Sequence, residues 1–142
     1  MERIVTAIDD ENILYPAPLR DLFIRLAQAG VVRARWTEAI HDEWIRHVLK
    51  NNAELTIKKL SRTRNLMNDA VRDCLVIGHE QLIASQVLPD PDDRHVLAAA
   101  IRAEAEVIVT CNLKDFPAKI LAQFEIEAVQ CPHQRWYNFR HI

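Results

Sequence analysis

The chain has 142 residues, of which 49% are hydrophobic and 27% are charged, and its formal net charge is −2. These values predict one globular domain over residues 1–142 and exclude a generally basic protein, so a contact with nucleic acid needs a local patch. The three cysteines are odd in number and widely spaced, and no apolar run approaches the roughly 20 residues of a membrane span. We therefore expect a cytoplasmic protein with reduced thiols and no membrane contact.

The first half of the chain alternates between predicted strands and helices. A β-branched run over residues 3–8 predicts a buried strand that ends at the polar residues 9–12. A proline-initiated helix is expected over residues 18–29, with a glycine as its stop. Residues 31–36 alternate in polarity and predict a second strand. Residues 37–50 form a helix capped by a threonine.

The second half begins with a longer amphipathic segment, which predicts a helix over about residues 55–73. Residues 82–88 are expected to form a strand or an extended segment. After an acidic stretch, residues 106–110 predict a β-branched strand that again ends in polar residues. A short helix over residues 120–124 and a last strand over residues 125–129 complete the prediction.

Strands that alternate with helices over this length indicate an α/β fold with a mostly parallel central sheet. In such sheets ligands bind beyond the carboxyl ends of the strands. Asp9 and Asp10 follow the first strand, and Asn112 and Asp115 follow a later one. Carboxylates that are far apart in sequence should therefore converge at one edge of the sheet. The tail over residues 131–142 is expected to be irregular.

An acidic stretch precedes the alanine-rich apolar run near residue 100. Asp90, Asp92 and Asp93 alternate with prolines, and a helix should open at Asp92 or Asp93. The simplest interpretation is an N-cap, in which one aspartate accepts the free amide protons of the first turn. A cap explains one aspartate and not three, because each close pair of like charges costs about 1 kcal/mol even in water. A cation site is the alternative.

A divalent cation would offset the repulsion within such a cluster. Oxygen-only ligands suit Mg²⁺ or Mn²⁺, and such an ion activates water for the cleavage of phosphodiester bonds. Other ways of handling phosphate lack support, since the chain has two glycines and contains neither GxxxxGK[ST] nor GxGxxG. Metal-assisted hydrolysis is therefore the reaction class that the residues favour.

Four segments, in this order, match one family pattern. They are the strand-end segment 10–21 (DENILYPAPLRD), the helical pair Asp42-Glu43, the helix opening 93–100 (DRHVLAAA) and the turn 110–116 (TCNLKDF). Together they resemble the PIN-domain proteins of the VapC-type ribonuclease toxin family. The resemblance extends over residues 3–130 and implies a three-layer α/β/α sandwich. It also implies Mg²⁺- or Mn²⁺-dependent cleavage of RNA, repression by a cognate antitoxin encoded alongside, and a homodimer.

The resemblance also implies metal ligands. Asp10 and Asp93 would be the principal ligands, and Glu43 would complete the acidic pocket directly or through water. Asp10 is preferred to Asp9 because its spacing to the following Asn-Ile-Leu-Tyr matches the family pattern. Glu43 has an alternative role, because it could instead pair with His47 one turn further along its helix.

The resemblance also implies roles for residues of the turn 110–116. Thr110 would orient the pocket by hydrogen bonds. Asn112 stands where many relatives have an aspartate, so a second metal ion would bind weakly or not at all, and Asp115 is the nearby carboxylate that would compensate. Glu11 departs from the family pattern, in which a small residue follows the aspartate, and adds negative charge beside the pocket.

A basic group on the predicted helix over residues 55–73 is the candidate contact for RNA phosphates. Its members are Lys58, Lys59, Arg62 and Arg64. The simpler interpretation is a solvated helix face. Trp36 and Trp44 are expected to be core residues rather than platforms for stacked bases.

We therefore predict a metal-dependent endoribonuclease, the toxin of a toxin–antitoxin pair, which hydrolyses RNA with metal-activated water. Two rivals stay open. One is an acidic-pocket phosphatase that cleaves small phosphomonoesters and spares RNA. The other is a catalytically weak or inactive PIN-like module that binds RNA or protein, which Glu11 and Asn112 make plausible.

Overall fold

A computed structural model describes residues 4–131 of the chain. The expected irregular tail therefore lies outside the described residues, except for Cys131. The strands are Val5–Asp9 (β1), Val32–Arg35 (β2), Val107–Thr110 (β3) and Glu127–Gln130 (β4). The helices are Glu11–Leu14 (α1), Ala17–Gln28 (α2), Glu38–Asn51 (α3), Ile57–Ala70 (α4), Arg94–Arg102 (α5) and Ala118–Leu121 (α6).

All strand pairs are parallel, and the strand order is β2-β1-β3-β4. β1 and β3 are the central strands, and residues such as Ile8 and Ile108 are fully buried there. The sheet is flanked by helices, as in an α/β/α sandwich, which confirms the expected fold class. Among residues 4–131, no helix is both long and apolar enough to cross a membrane.

The helices begin and end where local chemistry favours it. Thr37 and Thr56 cap α3 and α4, because each hydroxyl accepts a backbone N–H three residues further on. Gly30 follows α2 with a φ of 77°, a left-handed conformation that glycine adopts without steric cost. Trp36 and Trp44 are both fully buried, so their prediction as core residues is confirmed.

Residues 82–88 were expected to form a strand or an extended segment, and the expectation of a strand is wrong. Residues Glu80–Leu82 form a 3₁₀ turn, and further turns lead to the 3₁₀ turn Pro91–Asp93. The extended contact comes earlier in the chain, where Leu75 forms a parallel bridge to Trp36 at the end of β2. Valine and leucine in residues 82–88 favour a strand, but residues 86–88 lie outside the four strands of the sheet.

The expectation of reduced thiols is wrong for two of the three cysteines. A disulfide joins Cys111 to Cys131, whose Cα atoms are 5.2 Å apart, while Cys74 is free and buried. The cause is the register of the sheet, in which Thr110 pairs with Gln130. The residues that follow, both cysteines, therefore leave β3 and β4 side by side.

Candidate active site

Asp10 lies where β1 ends and α1 begins. Its backbone N–H donates to the Val109 carbonyl at 3.0 Å, which fixes it against β3. Its Oδ1 accepts the Glu11 backbone N–H at 2.8 Å, and its Oδ2 accepts the Thr110 hydroxyl at 3.0 Å. With an exposed fraction of only 4%, this carboxylate is held in one orientation at the carboxyl edge of the sheet.

Thr110 links the end of β3 to the loop that follows it. Its Oγ1 accepts the Asn112 backbone N–H at 3.1 Å and the Asn12 side-chain N–H at 3.3 Å. The Asn12 Oδ1 in turn accepts the Cys111 N–H at 3.1 Å. Thr110 thus connects Asp10 to the loop after β3. Asn12 was not predicted as a site residue, and its signal is its position two residues beyond Asp10, opposite the end of the neighbouring strand.

Asp93 directly precedes α5, and its charge faces several other carboxylates. Burial raises its pKa to about 7, and the negative charges of Asp10, Asp115, Asp90 and Glu43 add to that rise. Its Oδ2 is buried and has no hydrogen-bond partner among residues 4–131. The structure therefore brings this residue together with the other predicted carboxylates.

Asp10 shows the same crowding. Burial raises its pKa to about 6, the hydrogen bonds from Glu11 and Thr110 oppose that rise, and the charges of Glu11 and Glu43 support it. A carboxyl group whose pKa rises in this way takes up a proton more readily than an exposed one, and a nearby cation would favour its charged form.

Asp9 differs from its neighbour. Successive residues of an extended chain point to opposite faces of a sheet, and Asp10 has extended dihedral angles. Burial raises the pKa of Asp9 to about 8, with a further contribution from Asp10 and from no pocket carboxylate beyond it. The Asp9 Oδ2 is buried without a hydrogen-bond partner in the described part of the chain. The placement agrees with the choice of Asp10 as the pocket residue.

Glu43 contacts a histidine other than the one considered from sequence. Its Oε1 lies 2.8 Å from Nε2 of His95 on α5, while His47 instead contacts Glu11, at 3.0 Å between Nδ1 and Oε2. Burial lowers the pKa of His95, but the contact with Glu43 and the nearby charges of Asp10 and Asp93 outweigh it and raise that pKa overall. The alternative pairing of Glu43 with His47 is not what the structure shows.

Asn112 and Asp115 contact each other directly. The Asn112 side-chain amide donates to Asp115 Oδ2 at 2.7 Å, across the 3₁₀ turn Leu113–Asp115. This bond occupies one oxygen of Asp115, whose charge still contributes to the raised pKa of Asp93. Both residues therefore border the pocket, as a hydrogen-bonded pair rather than as two free ligands.

The pocket offers the donor chemistry of a hard cation. The buried Asp93 Oδ2 has no hydrogen-bond partner, and the buried Glu43 Oε1 has only its contact with His95. These atoms are oxygens, which suit Mg²⁺ or Mn²⁺. In the described part of the chain, no three His, Cys, Asp or Glu side chains are arranged as metal ligands. The carboxylates lie close enough to repel one another, and they would have to draw together around an ion.

The predicted basic group divides into two parts on α4. Lys58, Lys59 and Arg62 are exposed. The Arg64 Nη2 lies 2.5 Å from Asp42 Oδ1 and 3.1 Å from Glu38 Oε2, and its side chain is only 20% exposed. Arg64 thus joins α4 to α3, and its charge is already paired.

A cavity of about 800 Å³ lies away from the carboxylates, beside the early residues of β1 and β2. Arg33, Arg35 and Arg72 line it, and Arg35 donates to the backbone carbonyls of Asp73 and Leu75. The carboxyl ends of α2 and α4 meet there, and their carbonyl groups carry partial negative charge. Arg35 thus contacts the segment that follows α4, and none of the carboxylates predicted as site residues lines this cavity.

Comparisons with known proteins agree with this architecture. The family model described as "PIN domain" matches residues 8–114. "Putative ribonuclease VapC50" of Mycobacterium tuberculosis is 62% identical over 52 residues, which are 37% of this chain and 30% of that protein. The match thus spans less than a third of that relative's length.

A chain in the crystal structure of VapBC2 from Rickettsia felis, bound to a DNA fragment from their promoter, has a similar fold. Its TM-score is 0.56 at 14% identity, over 88% of this chain and 98% of that one. Since the family model matches most of the length of this chain, the chain belongs to the PIN-domain family.

Proposed function

We propose that this protein is a metal-dependent endoribonuclease that hydrolyses RNA phosphodiester bonds. The observation that carries the proposal is the convergence of Asp10, Glu43 and Asp93, which lie on three different elements. The charge of Glu43 adds to the raised pKa of both aspartates, and the charge of Asp10 adds to that of Asp93. Such an arrangement costs stability in the absence of a cation, so a purely structural role does not explain it. The similarity to a protein named as a ribonuclease supports the choice of RNA as substrate.

Asp10, Asp93 and Glu43 would hold Mg²⁺ or Mn²⁺. When bound, the ion would supply an activated water molecule and would offset charge on the phosphate in the transition state. Thr110 keeps the Asp10 carboxylate oriented, and the pair of Asn112 and Asp115 borders the site. Glu11, which contacts His47, is not one of these ligands.

RNA would approach along α4, where Lys58, Lys59 and Arg62 present three exposed positive charges. Each would contact a phosphate group and release a counterion. Arg64 contributes to the packing of α4 on α3 rather than to this surface.

The protein would act as the toxin of a toxin–antitoxin pair, as a homodimer held inactive by a cognate antitoxin. The support is the similarity to VapC50 and to a chain of the VapBC2 assembly. An antitoxin that covers the carboxylate pocket would exclude RNA from it. The disulfide of the protein removes the ground, reduced thiols, on which a cytoplasmic location was expected.

The proposal is tested by measuring cleavage of single-stranded RNA by the wild type and by Asp10→Asn and Asp93→Asn. Each variant should lose activity by orders of magnitude, and EDTA should abolish wild-type activity until Mn²⁺ restores it. Asp9→Asn is the matched control, since it removes the adjacent carboxylate, which lies outside the pocket, and should keep activity.

Cleavage that continues unchanged in EDTA would contradict the metal mechanism. Hydrolysis of a small phosphomonoester with no cleavage of RNA would favour the phosphatase. RNA binding without cleavage, in the presence of Mn²⁺, would favour a non-catalytic binding module.

A further inference from the structure

His95 lies on α5, two residues beyond Asp93, and faces Glu43 of α3. Its Nε2 is 2.8 Å from Glu43 Oε1, and the two side chains are only 15% and 21% exposed. Apart from this contact, Glu43 Oε1 is buried without a hydrogen-bond partner among residues 4–131, and so is His95 Nδ1. The polar contact of each side chain thus goes to the other.

The contact has a consequence for the glutamate. A glutamate side chain rotates about three bonds, and confining it to one orientation costs conformational entropy. Asp10 accepts the Glu11 backbone N–H and the Thr110 hydroxyl, whereas Glu43 has no comparable hydrogen bond within residues 4–131. Among the described residues, the imidazole of His95 is the polar group in contact with Glu43 Oε1, and Glu43 Oε2 takes no part in that contact.

We propose that His95 is a positioning residue: by holding Glu43 Oε1 it presents Glu43 Oε2 to the space between Asp10 and Asp93. The inference rests on the proposed metal-dependent function and adds a residue that acts through Glu43. Partners that orient ligating carboxylates typically change metal affinity 10- to 100-fold when they are removed.

A second histidine–glutamate pair offers a matched control. His47 Nδ1 contacts Glu11 Oε2 at 3.0 Å, so the chemistry of the two pairs is the same. Glu11 is not among the three proposed ligands, and the His47 side chain is 45% exposed. Loss of His47 should therefore leave the orientation of Glu43 unchanged.

The test is a calorimetric titration of Mn²⁺ into the metal-free protein and its variants. His95→Ala should weaken Mn²⁺ binding 10- to 100-fold. His95→Gln should recover most of that loss, because its amide N–H can also reach Glu43. In a Glu43→Gln background, His95→Ala should cause no further loss, and His47→Ala should bind Mn²⁺ as the wild type does. A purely structural role would not produce this dependence on Glu43.

The outcomes separate the inference from the proposed function. If the wild type binds Mn²⁺ and cleaves RNA while His95→Ala binds Mn²⁺ equally well, the inference is overturned and the function stands. The inference is also overturned, and the function again stands, if His95→Ala weakens binding equally with and without Glu43. If the wild type neither binds Mn²⁺ nor cleaves RNA, the function fails. In that case, thermal melts in EDTA test the coupling of His95 to Glu43. If the double variant melts no lower than the less stable single variant, the coupling is supported. If the losses of the two single variants add, the inference is overturned.

Discussion

Asp93 stands at the start of α5 without capping it. Its side chain accepts no backbone N–H there, whereas the nearby Asp90 accepts the Asp92 N–H at 2.9 Å. The two interpretations of the acidic stretch, a helix cap and a cation site, therefore apply to different residues. Asp90 acts as the cap of the 3₁₀ turn, and Asp93 carries a charge that other carboxylates repel.

This difference predicts opposite effects on stability in the absence of metal. Asp93→Asn should leave the protein equally or more stable, because it removes a repelled charge and keeps a similar shape. Asp90→Ala should cost about 1 kcal/mol, as the loss of a cap does. Thermal or urea unfolding in EDTA measures both effects.

The same pair predicts different responses to metal. At a Mn²⁺ concentration about a hundred times the dissociation constant, the wild type should gain about 2.7 kcal/mol of stability. Asp90→Ala should gain as much, and Asp93→Asn much less. If Asp93→Asn and the wild type shift equally with Mn²⁺, Asp93 is not a ligand.

Asp9 predicts a dependence of stability on pH. Because its pKa rises from 3.8 in the unfolded chain to about 8 in the folded protein, the folded state binds more protons between these values. Stability should therefore fall as the pH rises through that window. Asp9→Asn removes this contribution, so its stability relative to the wild type should increase from pH 5 to pH 8.5. Urea unfolding in EDTA at both pH values tests this, and an equal difference at the two would contradict it.

At the scale of elements, α4 carries both a candidate RNA-binding surface and a packing contact with α3. Replacing Lys58, Lys59 and Arg62 together by Glu should weaken RNA binding. It should also flatten the salt dependence, since each phosphate contact on a single strand contributes a slope of about −0.7. The binding of a fluorescent RNA to the Asp10→Asn protein over a range of salt concentrations measures the slope. An unchanged slope would return these residues to the solvated helix face.

Arg64 on the same helix provides the comparison. It contacts Asp42 and Glu38 of α3, so Arg64→Ala should lower the melting temperature while leaving the salt slope of RNA binding unchanged. The two sets of variants thus distinguish a loss of affinity from a loss of structure.

The disulfide between Cys111 and Cys131 ties the loop after β3 to the end of β4. The bond spans 20 residues of chain, which in the entropic account stabilises the fold by about 3 kcal/mol. Reduction with dithiothreitol should therefore lower the melting temperature of the wild type, measured in EDTA. Cys131→Ser should already melt lower and should not respond to the reductant. Cys74→Ala retains the bond, so it should respond as the wild type does.

For the whole molecule, the sequence predicts most of the fold because each strand and helix has a local signal. β1 and β3 are β-branched runs that end in polar residues, and the helices show apolar periodicity with threonine caps at α3 and α4. The prediction of a strand in residues 82–88 is wrong because a strand also needs a neighbouring strand to pair with, which local composition does not reveal. The disulfide was missed because the pairing of Thr110 with Gln130 depends on the register of β3 and β4.

The candidate site is predicted less completely than the fold. The convergence of Asp10 with Asp93 follows from the expected sheet and from the family pattern. The contact of Glu43 with His95 does not, because it depends on how α3 and α5 face each other across the pocket. Sequence spacing suggests partners only within one helix, such as His47 for Glu43, and in the structure His47 contacts Glu11 instead.

The central position of β1 also determines when the pocket is assembled during synthesis. Asp10 and Thr110, whose side chains bond to each other, are 100 positions apart in the chain. At about 5–20 residues per second, roughly 5 to 20 seconds of translation separate them. β1 lacks its β3 partner throughout that interval, and the pocket has only part of its carboxylates. A nascent chain therefore cannot complete the pocket until the segment that carries Thr110 and Asp115 has been made.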